Sequence, residues 1–156
     1  MDYFIQPRNS SLTIGTIYFW TATINNWQTL LAKDPFKQVI IDSLHQLNQR
    51  KLIDVYGFVI MPNHIHLIWK LNEMNGKELP SASLLKFTAH QFKKMLEPAE
   101  LSIYSVDAPN KVFEFWPRDS LCIELYTPEV AYQKLNYIHL NPLNEKWNLV
   151  TDPSHY

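Results

Sequence analysis

Two histidines with one residue between them, His64 and His66, are the side chains in this sequence best suited to act together. They follow Pro62-Asn63 and open an apolar run that continues through Leu67, Ile68 and Trp69. In a β-strand, residues i and i+2 share a face. The two imidazoles therefore project side by side, while Ile65, Leu67 and Trp69 project the other way. Two neutral imidazoles can hold one divalent ion, given at least one more ligand and a solvent or substrate oxygen. The same spacing is also met by two hydrogen-bonded histidines at a half-exposed strand end.

A second group lies about 70 residues downstream, in Tyr132-Gln133-Lys134-Leu135-Asn136-Tyr137-Ile138-His139-Leu140-Asn141-Pro142. Tyr137 and Asn141 are four apart and so one turn apart on a helix face, with Gln133 one turn earlier and His139 turned away. Asn141 offers an amide oxygen as a third ligand for a hard ion. Tyr137 offers a phenol, a nucleophile when held near a polarised electrophile. The competing reading is a packing or hydrogen-bonding tyrosine. A third group, Ser83, Lys86, His90, Lys93, Lys94 and Glu97, lies opposite an apolar stripe. Its lysines could neutralise backbone phosphates or form an ordinary solvated helix face.

These groups need elements to position them. The β-branched and aromatic run 14–24 reads as a strand. Asp34-Pro35 marks a helix start, and Phe36, Val39, Ile40, Leu44 and Leu47 recur at helical spacing to about residue 50. Two apolar runs, 53–61 and 64–71, flank Pro62-Asn63 as a hairpin. After a polar loop, Ser81 or Ser83 caps a second helix that Pro98 stops. Residues 98–111 read as loop, and 112–126 as a strand interrupted at Pro117, hence at an edge or a bulge. Thr127-Pro128 opens a third helix, ended by Pro142. The order predicts an α+β, ferredoxin-like βαββαβ antiparallel sheet with two helices on one face and an extra C-terminal helix carrying the tyrosine. The histidine face is then the one the two main helices leave uncovered.

Composition narrows the function. The 156 residues fit one domain, 1–156. Fourteen basic against fifteen acidic residues give a net charge of −1, so any nucleic-acid binding must come from a local patch. Three glycines leave no glycine-rich phosphate loop. Cys122, the single cysteine, allows no internal disulfide and favours a reducing, cytoplasmic setting. Met1-Asp2-Tyr3-Phe4 has no signal-peptide character, and no apolar run approaches a membrane span.

Together, Pro62-Asn63-His64-Ile65-His66-Leu67-Ile68 and Tyr137-Ile138-His139-Leu140-Asn141-Pro142-Leu143 resemble the histidine–hydrophobic–histidine and tyrosine-helix motifs of HUH single-tyrosine transposases. The branch most similar is that of the REP-associated tyrosine transposases of the insertion-sequence 200-like group. The resemblance covers roughly residues 14–150. Trp116, Arg118 and the segment from Trp147 to Tyr156 are lesser matches. It implies a ferredoxin-like fold, Mg²⁺ or Mn²⁺ held by His64, His66 and Asn141, and Tyr137 as nucleophile. It further implies single-stranded DNA with hairpin or palindromic elements as partner, cut and rejoined through a 5′-phosphotyrosine. Lys86, His90, Lys93, Lys94 and Arg118 are the expected DNA contacts; Trp20, Trp69 and Trp116 could stack on unpaired bases, although core packing is the stronger reading of each. Relatives occur as homodimers and as monomers. The chain departs from the pattern after Pro142, where Leu143, Asn144 and Glu145 replace a valine and a basic residue. Two other readings stay open: a non-catalytic ferredoxin-like nucleic-acid-binding module that has no need of Tyr137, and a small metal-dependent hydrolase using the histidine pair alone.

Overall fold

A computed structural model describes residues 12–117, 120–144 and 149–150. In chain order the elements are β1 (Ile17–Thr23), α1 (Asp34–Gln49), β2 (Ile53–Met61), β3 (His64–Leu71), α2 (Pro80–Met95), the single-turn α3 (Pro98–Leu101), β4 (Ser105–Ala108), β5 (Lys111–Phe113), β6 (Leu121–Glu124) and α4 (Pro128–Leu140). Strands β2, β3, β1 and β6 form one sheet in that order, every neighbouring pair antiparallel. This is the split βαβ arrangement expected of a ferredoxin-like chain, since each half places its strands on either side of an inserted one.

The period-2 pattern sets the two faces of the sheet. Tyr18, Trp20 and Ala22 of β1 and Ile65, Leu67, Trp69 and Leu71 of β3 join Phe36, Ile40, Leu44 and Leu47 of α1 and Leu84 and Phe92 of α2 in the main core. Trp20 and Trp69 pack ring on ring at 4.9 Å across the β1–β3 pair. On the other face, Phe19, Val59, Met61 and Ile68 meet Ile138 of α4. So α1 and α2 cover one face, and α4 lies on the face that carries the histidines. Gly57 makes room for it: a Cβ there would stand 3.0 Å from Leu135 Cδ2.

The hairpin boundaries match the expectation. Thr127 caps α4, its Oγ1 accepting from Val130 N at 3.3 Å. Two details differ. Leu79, not Ser81 or Ser83, precedes the first turn of α2. Ser83 instead donates to Glu78 Oε1 and accepts from Asn75 Nδ2, both at 2.9 Å, tying down the preceding turn. The expected strand 112–126 is two pieces: β5, paired with β4 in a small separate hairpin, and β6, paired with β1. Pro117, which has no N–H to offer a ladder, falls between them. The hairpin's first strand comes from the region read as loop.

Helix α4 is lightly held. Of its 13 residues only Ile138 is buried. Truncating Ile138 to alanine should cost about 2–5 kcal/mol of the docking of α4, the usual range for a large-to-small core change. Because α4 lies outside the main core, hydrogen exchange should rise in 128–141 while β1 and β3 keep wild-type protection. Uniform loss of protection across the sheet would show that α4 is integral to global folding.

Candidate active site

Strand β3 delivers the two histidines at its first turn-facing positions, and the register fixes their neighbours: Thr23 and Met61 lie opposite His64, Thr21 and Val59 opposite His66. The rings are 4.7 Å apart between centroids, at 72°. His66 Nδ1 hydrogen-bonds Thr21 Oγ1 at 2.7 Å. His64 Nδ1 donates to Asn63 Oδ1, also at 2.7 Å. Both imidazoles are thus oriented through Nδ1 by an oxygen on the protein, the arrangement that fixes tautomer and ring angle for a ligand nitrogen at Nε2.

Helix α4 brings Tyr137 of the same chain against this pair. The phenol ring stands 5.4 Å from the His66 ring and 6.0 Å from Phe19, edge-on to both. Phe19 stacks on His66 from the adjacent strand at 5.0 Å. Tyr137 is 48% exposed. Asn141 begins the Asn141–Leu143 turn with helical φ and ψ, so the path from Tyr137 is continuous and both residues share one face. Thr21, Thr23, Trp27, Asn63, His64, His66, Tyr137, Asn141 and Asn144 line one cleft of about 330 Å³.

Two side-chain atoms of residues lining that cleft have no partner among the described residues. His66 Nε2 and Asn141 Oδ1 are buried and unpaired, and each residue is only 6% exposed. The third such atom, Trp69 Nε1, belongs to the core face. Leaving a buried acceptor unsatisfied costs roughly 1–3 kcal/mol. His66 and Asn141 line one cleft, and an imidazole nitrogen and an amide oxygen are both donors that a divalent ion accepts. The donor set fits a divalent ion of the Mg²⁺ or Mn²⁺ kind through Asn141, with imidazoles that such ions also accept. Among the described residues, no three His, Cys, Asp or Glu side chains cluster as a metal site. A ligand set here is therefore neutral, and would leave an ion's full charge for a substrate.

Electrostatics keep the imidazole unprotonated. Burial, then the proximity of His64 and of Lys134, lowers the His66 pKa from 6.5 to about 3. Lys134, one turn before Tyr137, holds its ammonium 4.9 Å above the Phe19 ring and 5.8 Å from the Tyr137 ring. It makes no ion pair with a described carboxylate. Sequence reading missed it, although its i−3 spacing to Tyr137 was a usable signal.

The expected DNA contacts on α2 are elsewhere. Lys86 pairs with Glu78 at 2.9 Å, Lys93 lies 5.4 Å over the Phe113 ring, and His90 and Lys94 are exposed. All four ride on the helix covering the opposite face of the sheet from the cleft. Arg118 and Trp147 fall outside the described residues. Trp20, Trp69 and Trp116 are core, not stacking surface.

The structure of a REP-associated tyrosine transposase bound to a REP hairpin superposes on 97% of this chain and 80% of its own, with a TM-score of 0.65 and 17% identity. The fold is that of a tyrosine transposase. At this identity the likeness is one of architecture. A candidate transposase from Deinococcus radiodurans R1 aligns over 85% of this chain and 95% of its own at a TM-score of 0.48 and 14% identity. No family model and no curated protein matches the sequence. Among the described residues, no helix is long and apolar enough to cross a membrane.

The depressed His66 pKa has a sign that can be measured. Between about pH 6.5 and 3 the unfolded chain carries a proton on this ring that the folded chain refuses. Stability is therefore lost as pH falls through that window. In urea titrations without metal, wild type should lose stability on acidification faster than His66→Gln, by up to about 1.4 kcal/mol per pH unit. Parallel pH profiles would mean that the ring is readily protonated in the folded state.

Proposed function

We propose that this protein is an HUH single-tyrosine transposase that cuts and rejoins single-stranded DNA through a covalent 5′-phosphotyrosine. One observation carries the reading: His66 Nε2 and Asn141 Oδ1, buried without partners, face the same cleft as the Tyr137 phenol. The fold shared with a transposase bound to hairpin DNA supports it.

In the reaction, Tyr137 Oη forms a bond to phosphorus and the bond from phosphorus to the 3′-oxygen breaks. The phenolic proton passes to solvent, and the departing oxygen takes one up as a 3′-hydroxyl. A 3′-hydroxyl then attacks the phosphotyrosine, restoring a phosphodiester and the free phenol. The bond energy is conserved in the link, so no nucleotide triphosphate is needed. His64, His66 and Asn141 would hold Mg²⁺ or Mn²⁺, which when bound neutralises charge on the phosphate's non-bridging oxygens. Phe19 and His66 set the angle of the tyrosine ring by edge contacts. Lys134, beside that ring and unpaired, supplies a fixed positive charge to the same phosphate. An unpaired strand is required because a phenol on a rigid helix must approach the phosphorus in line. The lysines of α2, on the far face, would serve only DNA that wraps around the sheet edge.

The test is incubation of labelled single-stranded hairpin DNA with Mn²⁺. Wild type should give a covalent protein–DNA band that disappears in Tyr137→Phe, in His66→Gln and with EDTA. Equal DNA binding with no covalent band for any variant would sink the transposase reading in favour of a binding module. Cleavage surviving in Tyr137→Phe would point to a hydrolase built on the histidine pair.

Lys134→Gln provides a separate check. The covalent band should form at least about tenfold more slowly, as for loss of one charge-stabilising contact. The slope of log binding constant against log salt should fall by about 0.7, one phosphate contact on a single strand. An unchanged slope would remove Lys134 from the phosphate.

A further inference from the structure

We infer that Trp27 and the cleft beside it form a binding subsite for one unpaired nucleobase, adjoining the phosphate that lies against Tyr137. The inference rests on the transposase reading of the neighbouring cleft and adds a substrate contact to it.

Trp27 is 74% exposed, a large apolar ring held in water. Its backbone has φ of 51°, and that of Asn26 has φ of 54°. A bulky side chain in this left-handed region is a true outlier, kept only where surrounding structure over-determines it. Here it is over-determined. Ile24 N donates to Asn63 O at 2.8 Å, Asn25 N to Phe115 O at 2.7 Å, and Trp27 N to Ile24 O at 3.0 Å. The turn is thereby tied to Asn63, the residue that orients His64. The strain buys a fixed offset between an exposed indole and the histidine pair.

The indole lines two cavities at once. One is the cleft of His64, His66 and Tyr137. The other, of about 400 Å³, is lined by Trp27 with Thr23, Asn25, Asn26, Ser120 and Leu121, among others. Its volume lies within the roughly 300–1,000 Å³ of small-ligand pockets. Amide and hydroxyl groups around an aromatic plane match what an unpaired base presents: a π-face to stack and a polar edge to hydrogen-bond. Thr23, like Trp27, lines both cavities, so the two adjoin. A strand with its phosphate at Tyr137 has a flanking base within reach of Trp27.

The experiment measures binding of full-length protein, in EDTA, to two fluorescein-labelled probes. One is a mixed-sequence single strand, the other a strand of equal length with every base replaced by an abasic site. No metal is present and no bond forms, so the result is independent of whether Tyr137 is the nucleophile; the covalent-band assay decides that separately. Trp27→Gly suits the test because glycine adopts positive φ freely and little buried surface is lost. Its thermal midpoint should equal or exceed that of wild type. It should bind the base-bearing strand about 5- to 150-fold more weakly, the range for one stacked base, and the abasic strand as wild type does. Trp27→Phe should recover most of the loss. Wild-type affinity of Trp27→Gly for the base-bearing strand, or an equal loss on both probes, would overturn the subsite.

Discussion

Strand β3 has two committed faces, and the rest of the molecule depends on that. It is hydrogen-bonded along both edges, to β1 and to β2. Its Ile65, Leu67, Trp69 and Leu71 side chains are buried against α1 and α2. A slip of one residue in either pairing would turn Trp69 to solvent and the histidines into the core. The hydrophobic effect that seats Trp69 on Trp20 therefore also sets where His64 and His66 point. The site needs no dedicated scaffold, because the core's own register supplies one.

What was legible in the sequence follows from the same physics. Strong local signals were realised: the 53–61 and 64–71 hairpin, the apolar stripe of α1 and the Thr127-Pro128 start of α4 all depend on near neighbours in sequence. The side-by-side histidines and the Tyr137–Asn141 pairing needed only the strand and helix periods. Less legible were features set by tertiary context. The second half of the expected strand 112–126 pairs with β1, but its first half folds back on β4. Strand propensity does not record which partner wins. Lys86 and Lys93 looked like a free cationic face until Glu78 and Phe113 were seen beside them. Trp27 carries no local signal, since its exposure and left-handed backbone are visible only in three dimensions.

The cleft is built largely of neutral donors, with one ammonium beside it. In a chain of net charge −1 this is a local reversal of sign. No carboxylate is among the described residues lining the cleft, and some are held in ion pairs elsewhere, such as Asp54 with Lys70 and Glu114 with Lys111. Nothing among the described residues of the cleft competes with an incoming anion. Burial keeps His66 neutral, and the Lys134 Nζ stands over the Phe19 ring, a cation–π contact beside the cleft.

The slight anchorage of α4 bears on the site itself. The helix meets the sheet through Ile138, the fit of Leu135 over Gly57 and the edge contacts of Tyr137 with Phe19 and His66, while the histidines sit on a strand whose other face is core. In the proposed reaction the cut strand is attached to α4, and the proposed metal seat spans both elements, with His64 and His66 on β3 and Asn141 at the end of α4. The position of the phenol relative to the histidines is thus set in part by packing that includes none of the proposed reacting groups. Ile138 and the Leu135–Gly57 fit tether the helix to the sheet, so substitutions beneath α4 act on the site at a distance, through where the helix sits.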